Sequence, residues 1–125
     1  MARILVVDND PPYREMVETM LLRQGHSVLA AENGRQCLDR LDQQAVDLVI
    51  TDFFIPVQDV VETIVAIRGQ GYAIPIIGMT DGLAGSAMMR LCTDAMLVKP
   101  FSATELSAAI NASLAGQPDK GSVVP

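Results

Sequence analysis

The sequence predicts an α/β domain: a doubly wound, five-stranded parallel sheet flanked by five helices. Three observations predict it. Five short runs are apolar with little polar alternation, the habit of strands covered on both faces. A stretch with helical spacing follows each run, and strict alternation of strand and helix implies parallel strands joined by right-handed crossovers. Four of the five runs also end on groups able to face one crevice: Asp8 with Asn9 and Asp10, then Asp52, Thr80 and Lys99. Ligands of open α/β sheets bind outside the carboxyl ends of the strands, so these ends are where chemistry is expected.

The elements follow in order. Ile4-Leu5-Val6-Val7 runs into the acidic turn Asp8-Asn9-Asp10 and then Pro11-Pro12. Proline suits a first helical turn, where its missing N–H has no partner to lose. Tyr13, Met16, Val17, Met20 and Leu21 then keep helical spacing, and Gly25 offers a stop. Ser27–Ala31 reads as the second strand, and Asn33-Gly34 leads into a helix carrying Cys37, Leu38 and Leu41. Asp47-Leu48-Val49-Ile50-Thr51-Asp52 is the interior strand, ending on a carboxylate before Phe53-Phe54-Ile55-Pro56. A helix from about Asp59 to Ile67 groups Val60, Val61, Ile64, Val65 and Ile67 largely on one side, despite the β-branched content that weakens helix propensity. Gly69 and Gly71 close it. The fourth strand covers Ala73 to Met79 and ends at Thr80-Asp81-Gly82, after which Leu83 to Leu91 can form only a short fourth helix. Ala95-Met96-Leu97-Val98 is the fifth strand and ends on Lys99-Pro100-Phe101. Ser102-Ala103-Thr104-Glu105 is a capping box opening a fifth helix with Leu106, Ala109, Ile110 and Leu114 at helical spacing. Gly116 ends that helix. Residues 117–125 have linker composition, so residues 1–116 are expected to form one domain and the remainder a disordered tail or linker remnant.

Composition narrows the function classes. A chain of 125 residues with 50% hydrophobic and 19% charged residues can bury one core without disulfides or structural metal. Cys37 and Cys92 lack metal-ligand spacing and read as buried reduced thiols. No run approaches the roughly 20 apolar residues that cross a bilayer, and no signal-peptide pattern precedes Ile4, so a cytoplasmic protein without membrane contact is expected. A net charge of −6 argues against direct nucleic-acid binding, which needs a basic face. His26, the single histidine, precedes a strand without an evident acid partner and is expected on the surface.

The strand-end groups suggest a single task. Carboxylates brought close together repel unless a cation sits among them, and a hard ion such as Mg2+ takes oxygen ligands while keeping several waters. A hydroxyl and an ammonium opposite would complement the oxygens of a phosphoryl group carried by the remaining carboxylate. In their order and spacing, Ile4-Leu5-Val6-Val7-Asp8, Asp47-Leu48-Val49-Ile50-Thr51-Asp52 with Pro56, Pro75-Ile76-Ile77-Gly78-Met79-Thr80 and Val98-Lys99-Pro100-Phe101 resemble the response-regulator receiver domain of two-component signalling, over residues 2 to 115. The resemblance implies a flavodoxin-like sheet of order 2-1-3-4-5 and a regulatory switch rather than a metabolic enzyme. It implies Asp52 as phospho-acceptor from a sensor histidine kinase, a phosphotransfer protein or a small acyl phosphate. Asp8, Asn9, Asp52 and the backbone carbonyl of Phe54 would hold Mg2+. Lys99 would pair with a phosphoryl oxygen, and Thr80 would report the modification to a face of fourth helix, fifth strand and fifth helix, met by a downstream protein target. A monomer or weak homodimer is expected.

Several positions depart from that family pattern. Asn9 stands where a second acid is usual, which predicts weakened Mg2+ affinity. Asp81 follows Thr80 where a small residue is common, as a solvated loop acid or as an access gate. Met96 replaces the usual aromatic switch residue, Val60 replaces a glycine, and the stretch from Thr80 to Lys99 is short. These departures define the alternative: a pseudo-receiver, an interaction module not switched by phosphate. A haloacid-dehalogenase-type phosphatase is a third reading, because Asp8-x-Asp10 mimics its nucleophile and acid; it leaves Asp52 without a purpose, and the chain is short for that fold plus a cap.

Overall fold

A computed structural model of the chain describes residues 2–52, 60–81 and 93–116. Five parallel strands, β1 (Arg3–Val7), β2 (Ser27–Ala31), β3 (Leu48–Asp52), β4 (Ile76–Thr80) and β5 (Ala95–Val98), form one sheet in the order β2-β1-β3-β4-β5. The described helices are α1 (Pro11–Arg23), α2 (Gly34–Gln43), α3 (Val60–Gly69) and α4 (Ala103–Ala115). The α/β fold and the expected 2-1-3-4-5 order are thus observed. The short helix expected over Leu83–Leu91, the metal-ligand candidate Phe54, Cys92 and residues 117–125 lie outside the described residues.

Side-chain alternation along the strands sorts the core into two layers. Ile4 and Val6 of β1, Leu48 and Ile50 of β3, Ile77 and Met79 of β4 and Leu97 of β5 pack with Val17 and Leu21 of α1 and Leu106 and Ile110 of α4. Leu5, Val7, Val49 and Ile76 pack on the opposite side with Cys37 and Leu41 of α2 and Ile64 and Ile67 of α3. Both sheet faces are therefore dry, which is why the strands read as unbroken apolar runs. Burial alone pushes the Cys37 thiol up to about 12, in keeping with an inert buried thiol. Among the described residues, no helix is long and apolar enough to cross a membrane.

Local signals act as expected at the helix ends. Gly25 takes a φ of +90° just past α1, where its N–H bonds the carbonyl of Leu22 and that of His26 bonds Leu21. The Ser102 side chain accepts from the Glu105 N–H at 3.0 Å and the Glu105 carboxylate accepts from the Ser102 N–H at 3.0 Å, completing the capping box.

Several boundaries differ from the sequence reading; β1 starts at Arg3 rather than Ile4 and β3 at Leu48 rather than Asp47. β4 starts at Ile76 rather than Ala73, because Pro75 has no N–H to donate and the Arg68 guanidinium takes the carbonyls of Tyr72 and Ile74, at 3.0 and 2.7 Å. The strand runs on through Thr80, its last residue. α3 continues through Gly69 rather than closing before it. His26, expected on the surface, is partly exposed, and its Nδ1 accepts from the Ala2 N–H at 3.3 Å.

Candidate functional site

Strand parity brings the candidate residues together. Asp8 continues the Ile4–Val6 series, Asp52 the Leu48–Ile50 series and Lys99 follows Leu97, so all three lie on the side of the sheet that α1 and α4 cover. The β1–β3 register pairs Val7 with Thr51, which makes Asp8 and Asp52 the next neighbours at the carboxyl edge. Asp8 keeps its backbone in the sheet by donating its N–H to the Ala31 carbonyl at 3.0 Å. Lys99 is fixed by its own N–H, which donates to the Thr80 carbonyl at 2.7 Å. The Lys99–Pro100 peptide is cis.

The Lys99 ammonium joins the two carboxylates. Its Nζ lies 2.9 Å from Asp52 Oδ1 and 3.2 Å from Asp8 Oδ2. Burial pulls the Lys99 pKa down, but the hydrogen bond and charge of Asp52, reinforced by Asp8, more than offset this, so the net shift is upward. The two acids differ in access. The Asp8 side chain is 1% exposed and both of its oxygens are engaged, Oδ2 by Lys99 and Oδ1 by the Asp10 N–H at 3.0 Å. The Asp52 side chain is 14% exposed, so of the two it is the carboxylate that an incoming group can reach. Thr80 is buried at the carboxyl end of the neighbouring strand, on the opposite parity to Met79. Asn9 and Asp10 are exposed, and Asp10 is the N-cap of α1 without a side-chain cap bond.

Two contributors escaped the sequence reading. Tyr13, taken as a core position of α1, has its ring 4.3 Å from the Lys99 Nζ, centroid to nitrogen. Burial pushes its phenol pKa up, with Lys99 opposing. Arg14 donates from Nη1 to the Asp8 carbonyl at 2.8 Å, tying the acidic turn to the helix. The double proline before them was the available signal, since a chain held at N1 and N2 has its first helical side chains fixed beside the turn.

The donor set fits a hard cation. Mg2+ typically takes one or two carboxylates and completes its shell with water, which is what Asp8 and Asp52 offer. Among the described residues no cluster of three or more His, Cys, Asp or Glu side chains is arranged as a metal site, so nothing there points to a softer metal in a full protein cage.

The arrangement is that of a receiver domain, and the comparisons agree. The family model for the response regulator receiver domain matches residues 4–111, and the chain belongs to that family. The transcriptional regulatory protein CpxR of Escherichia coli is 35% identical over 119 residues, a match covering 91% of this chain and 50% of CpxR. The chain thus spans about half the length of that relative. The response regulator TrrA of Thermotoga maritima, solved in complex with Mg2+-BeF, is 31% identical with a TM-score of 0.84, covering 91% of this chain and 100% of TrrA. The chemotaxis response regulator CheY4 of Vibrio cholerae is 28% identical with a TM-score of 0.82, covering 91% of this chain and 99% of that one. The chain is therefore a receiver domain of two-component signal transduction, a regulatory class, and the phosphatase reading is set aside.

The raised pKa values set the response to alkali. Lys99, Tyr13 and Tyr72, the last bonded to Asp42, all hold their protons more tightly folded than unfolded. Their contribution is complete below the unfolded values, 10.5 for lysine and 10.0 for tyrosine, and is lost as pH rises through the folded ones. The urea midpoint is expected to hold to about pH 9.5 and then to fall as pH rises past the unfolded values of 10.0 and 10.5, and still to fall above about pH 10 in a Tyr13→Phe/Tyr72→Phe double variant, where Lys99 carries the effect. A midpoint that stays flat in the double variant contradicts the assigned role of Lys99.

Proposed function

We propose that the chain is a phospho-accepting switch in which Asp52 receives a phosphoryl group from a sensor histidine kinase, a phosphotransfer protein or a small acyl phosphate. The observation that carries this reading is the Lys99 ammonium held between a sealed carboxylate, Asp8, and an accessible one, Asp52. An Asp52 oxygen attacks phosphorus; as the new O–P bond forms, the P–N bond to the donor imidazole breaks, and the nitrogen keeps the electron pair and takes up a proton. Hydrolysis of the acyl phosphate by water returns the carboxylate and inorganic phosphate. Lys99 stabilises charge on the phosphoryl oxygens, and the buried Thr80 hydroxyl reads their presence. Mg2+ held by Asp8, Asn9, Asp52 and the Phe54 carbonyl would supply further neutralisation of the phosphoryl oxygens.

The signal leaves through the face that includes β5 and α4, for recognition by a downstream protein. β5 is an edge strand, and Val98 on it is 57% exposed. Residues 1–116 act as the receiver unit and 117–125 as a linker or tail, a division supported by the end of α4 at Ala115 with Gly116 as its cap. The acidic net charge supports a unit that does not contact nucleic acid itself, and the same reading has it free of membrane contact, acting in the cytoplasm as a monomer or weak homodimer.

Intact mass after incubation with a small acyl-phosphate donor and Mg2+ tests the reading. One added phosphoryl group on the wild-type chain and none on Asp52→Ala is the expected result. No addition under any donor or metal concentration favours the pseudo-receiver, a binding module that keeps the fold without the switch.

Asn9 tunes the site. An amide oxygen can ligate Mg2+ but brings no charge, and divalent-cation affinity follows the ligand charge count. Asn9→Asp is expected to tighten Mg2+ binding roughly tenfold in a calorimetric titration. Equal affinity in the two proteins shows that position 9 does not govern the metal.

A further inference from the structure

The geometry points to Tyr13 as a positioning residue: the face of its ring holds the Lys99 ammonium in the cleft and lets it travel from the Asp52 carboxylate to an arriving phosphoryl oxygen. The inference rests on the reading of Asp52 as phospho-acceptor. It also assigns work to a side chain that the sequence pattern treats as ordinary helix packing.

An ammonium has three N–H donors. Two are accounted for by Asp52 Oδ1 at 2.9 Å and Asp8 Oδ2 at 3.2 Å, and the ring centroid of Tyr13 stands 4.3 Å from the same nitrogen. Aromatic faces are electron-rich and attract a cation at this range. The ring is itself held in place. Phe101 meets it edge to face, with centroids 5.8 Å apart and planes at 77°, and Phe101 is buried in the layer under α1 and α4. Lys99 and Phe101 are two residues apart in one segment, so a single stretch of chain supplies both the rider and the brace of the Tyr13 ring. Pro11 and Pro12 fix the backbone immediately before it.

Phosphoryl transfer requires Lys99 to change partners. Once an Asp52 oxygen is bonded to phosphorus, the negative charge moves outward onto the phosphoryl oxygens, and the ammonium must follow. A hydrogen bond to one carboxylate oxygen is directional and is lost by that movement. Attraction to an aromatic face is spread over the ring, so the ammonium can shift across it without exposing its third donor to water. The Lys99 side chain is only 15% exposed, and the Tyr13 ring is one of the groups that cover its ammonium. An aliphatic residue at position 13 would fill part of the volume and offer no attraction, leaving the ammonium free to sample water outside the cleft.

Two measurements on the full chain test this. The first is the NMR shift of the Lys99 ε-methylene protons, which a ring face displaces upfield whether or not the protein is ever phosphorylated. The second is phosphorylation by acetyl phosphate with Mg2+, separated into the rate at saturating donor and the donor concentration at half-saturation. Tyr13→Leu is expected to lose the upfield shift and to lower the saturating rate roughly fivefold to tenfold, with half-saturation little changed. Tyr13→Phe is expected to rescue both. A Leu variant that loses the shift but keeps the wild-type rate overturns the inference, as does a Phe variant as slow as Leu, which would place the effect in the hydroxyl. Should Tyr13→Leu fail to fold, Tyr13→pentafluorophenylalanine, alike in shape but with an electron-poor face, is read by the same criteria. A wild-type chain that accepts no phosphoryl group contradicts the switch itself, an outcome distinct from any difference among the Tyr13 variants.

Discussion

The ion triad of Asp8, Lys99 and Asp52 is the constraint on which the rest of the cleft depends. A carboxylate sealed from water is tolerated only when paired and hydrogen-bonded, because removing one partner of a buried ion pair typically costs about 3–5 kcal/mol. Asp8 meets both conditions through Lys99 and the Asp10 N–H. Those same bonds fix the acidic turn, the start of α1 and the segment after β5 relative to one another. The three residues come from β1, β3 and the end of β5, strands that are not all neighbours in the sheet, so the triad links the sheet's carboxyl edge across β4. The lysine is a cation within reach of both acids and lets them share one crevice.

The triad also divides the labour between the acids. Asp8 is locked on both oxygens and closed to solvent, which suits a fixed counter-charge. Asp52, with its side chain 14% exposed against 1% for Asp8, suits the proposed reacting group. Two carboxylates that look equivalent as strand-end acids are thus separated by environment. The Asp8-centred phosphatase reading falls instead to the family match, which covers residues 4–111 as a response regulator receiver domain.

Much of this was legible in the sequence. Unbroken apolar runs such as Leu48-Val49-Ile50 record burial on both faces, and the observed sheet has helices on both sides. The capping box at Ser102 records a local hydrogen-bond exchange that needs no tertiary context, and it forms as read. Asp8, Asp52 and Lys99 were recognisable because strand ends in this fold converge. What escaped was set by contacts between distant segments. Tyr13 fits helical core spacing equally well whether or not a lysine lies over its ring, and nothing near it in sequence names Lys99. The start of β4 was misjudged because Arg68 claims the Tyr72 and Ile74 carbonyls that would otherwise join a ladder. His26 found its partner in the backbone of Ala2, a donor that no search for acidic side chains would find.

The most direct measurement is a crystal structure of the chain with Mg2+ and beryllofluoride, a mimic of a carboxyl-bound phosphoryl group. Beryllium on the Asp52 carboxylate, with the Lys99 ammonium on one of its fluorines and still over the Tyr13 ring, is the predicted result. Beryllofluoride absent from Asp52, or Lys99 unmoved between Asp8 and Asp52, would contradict a lysine that exchanges one anionic partner for another.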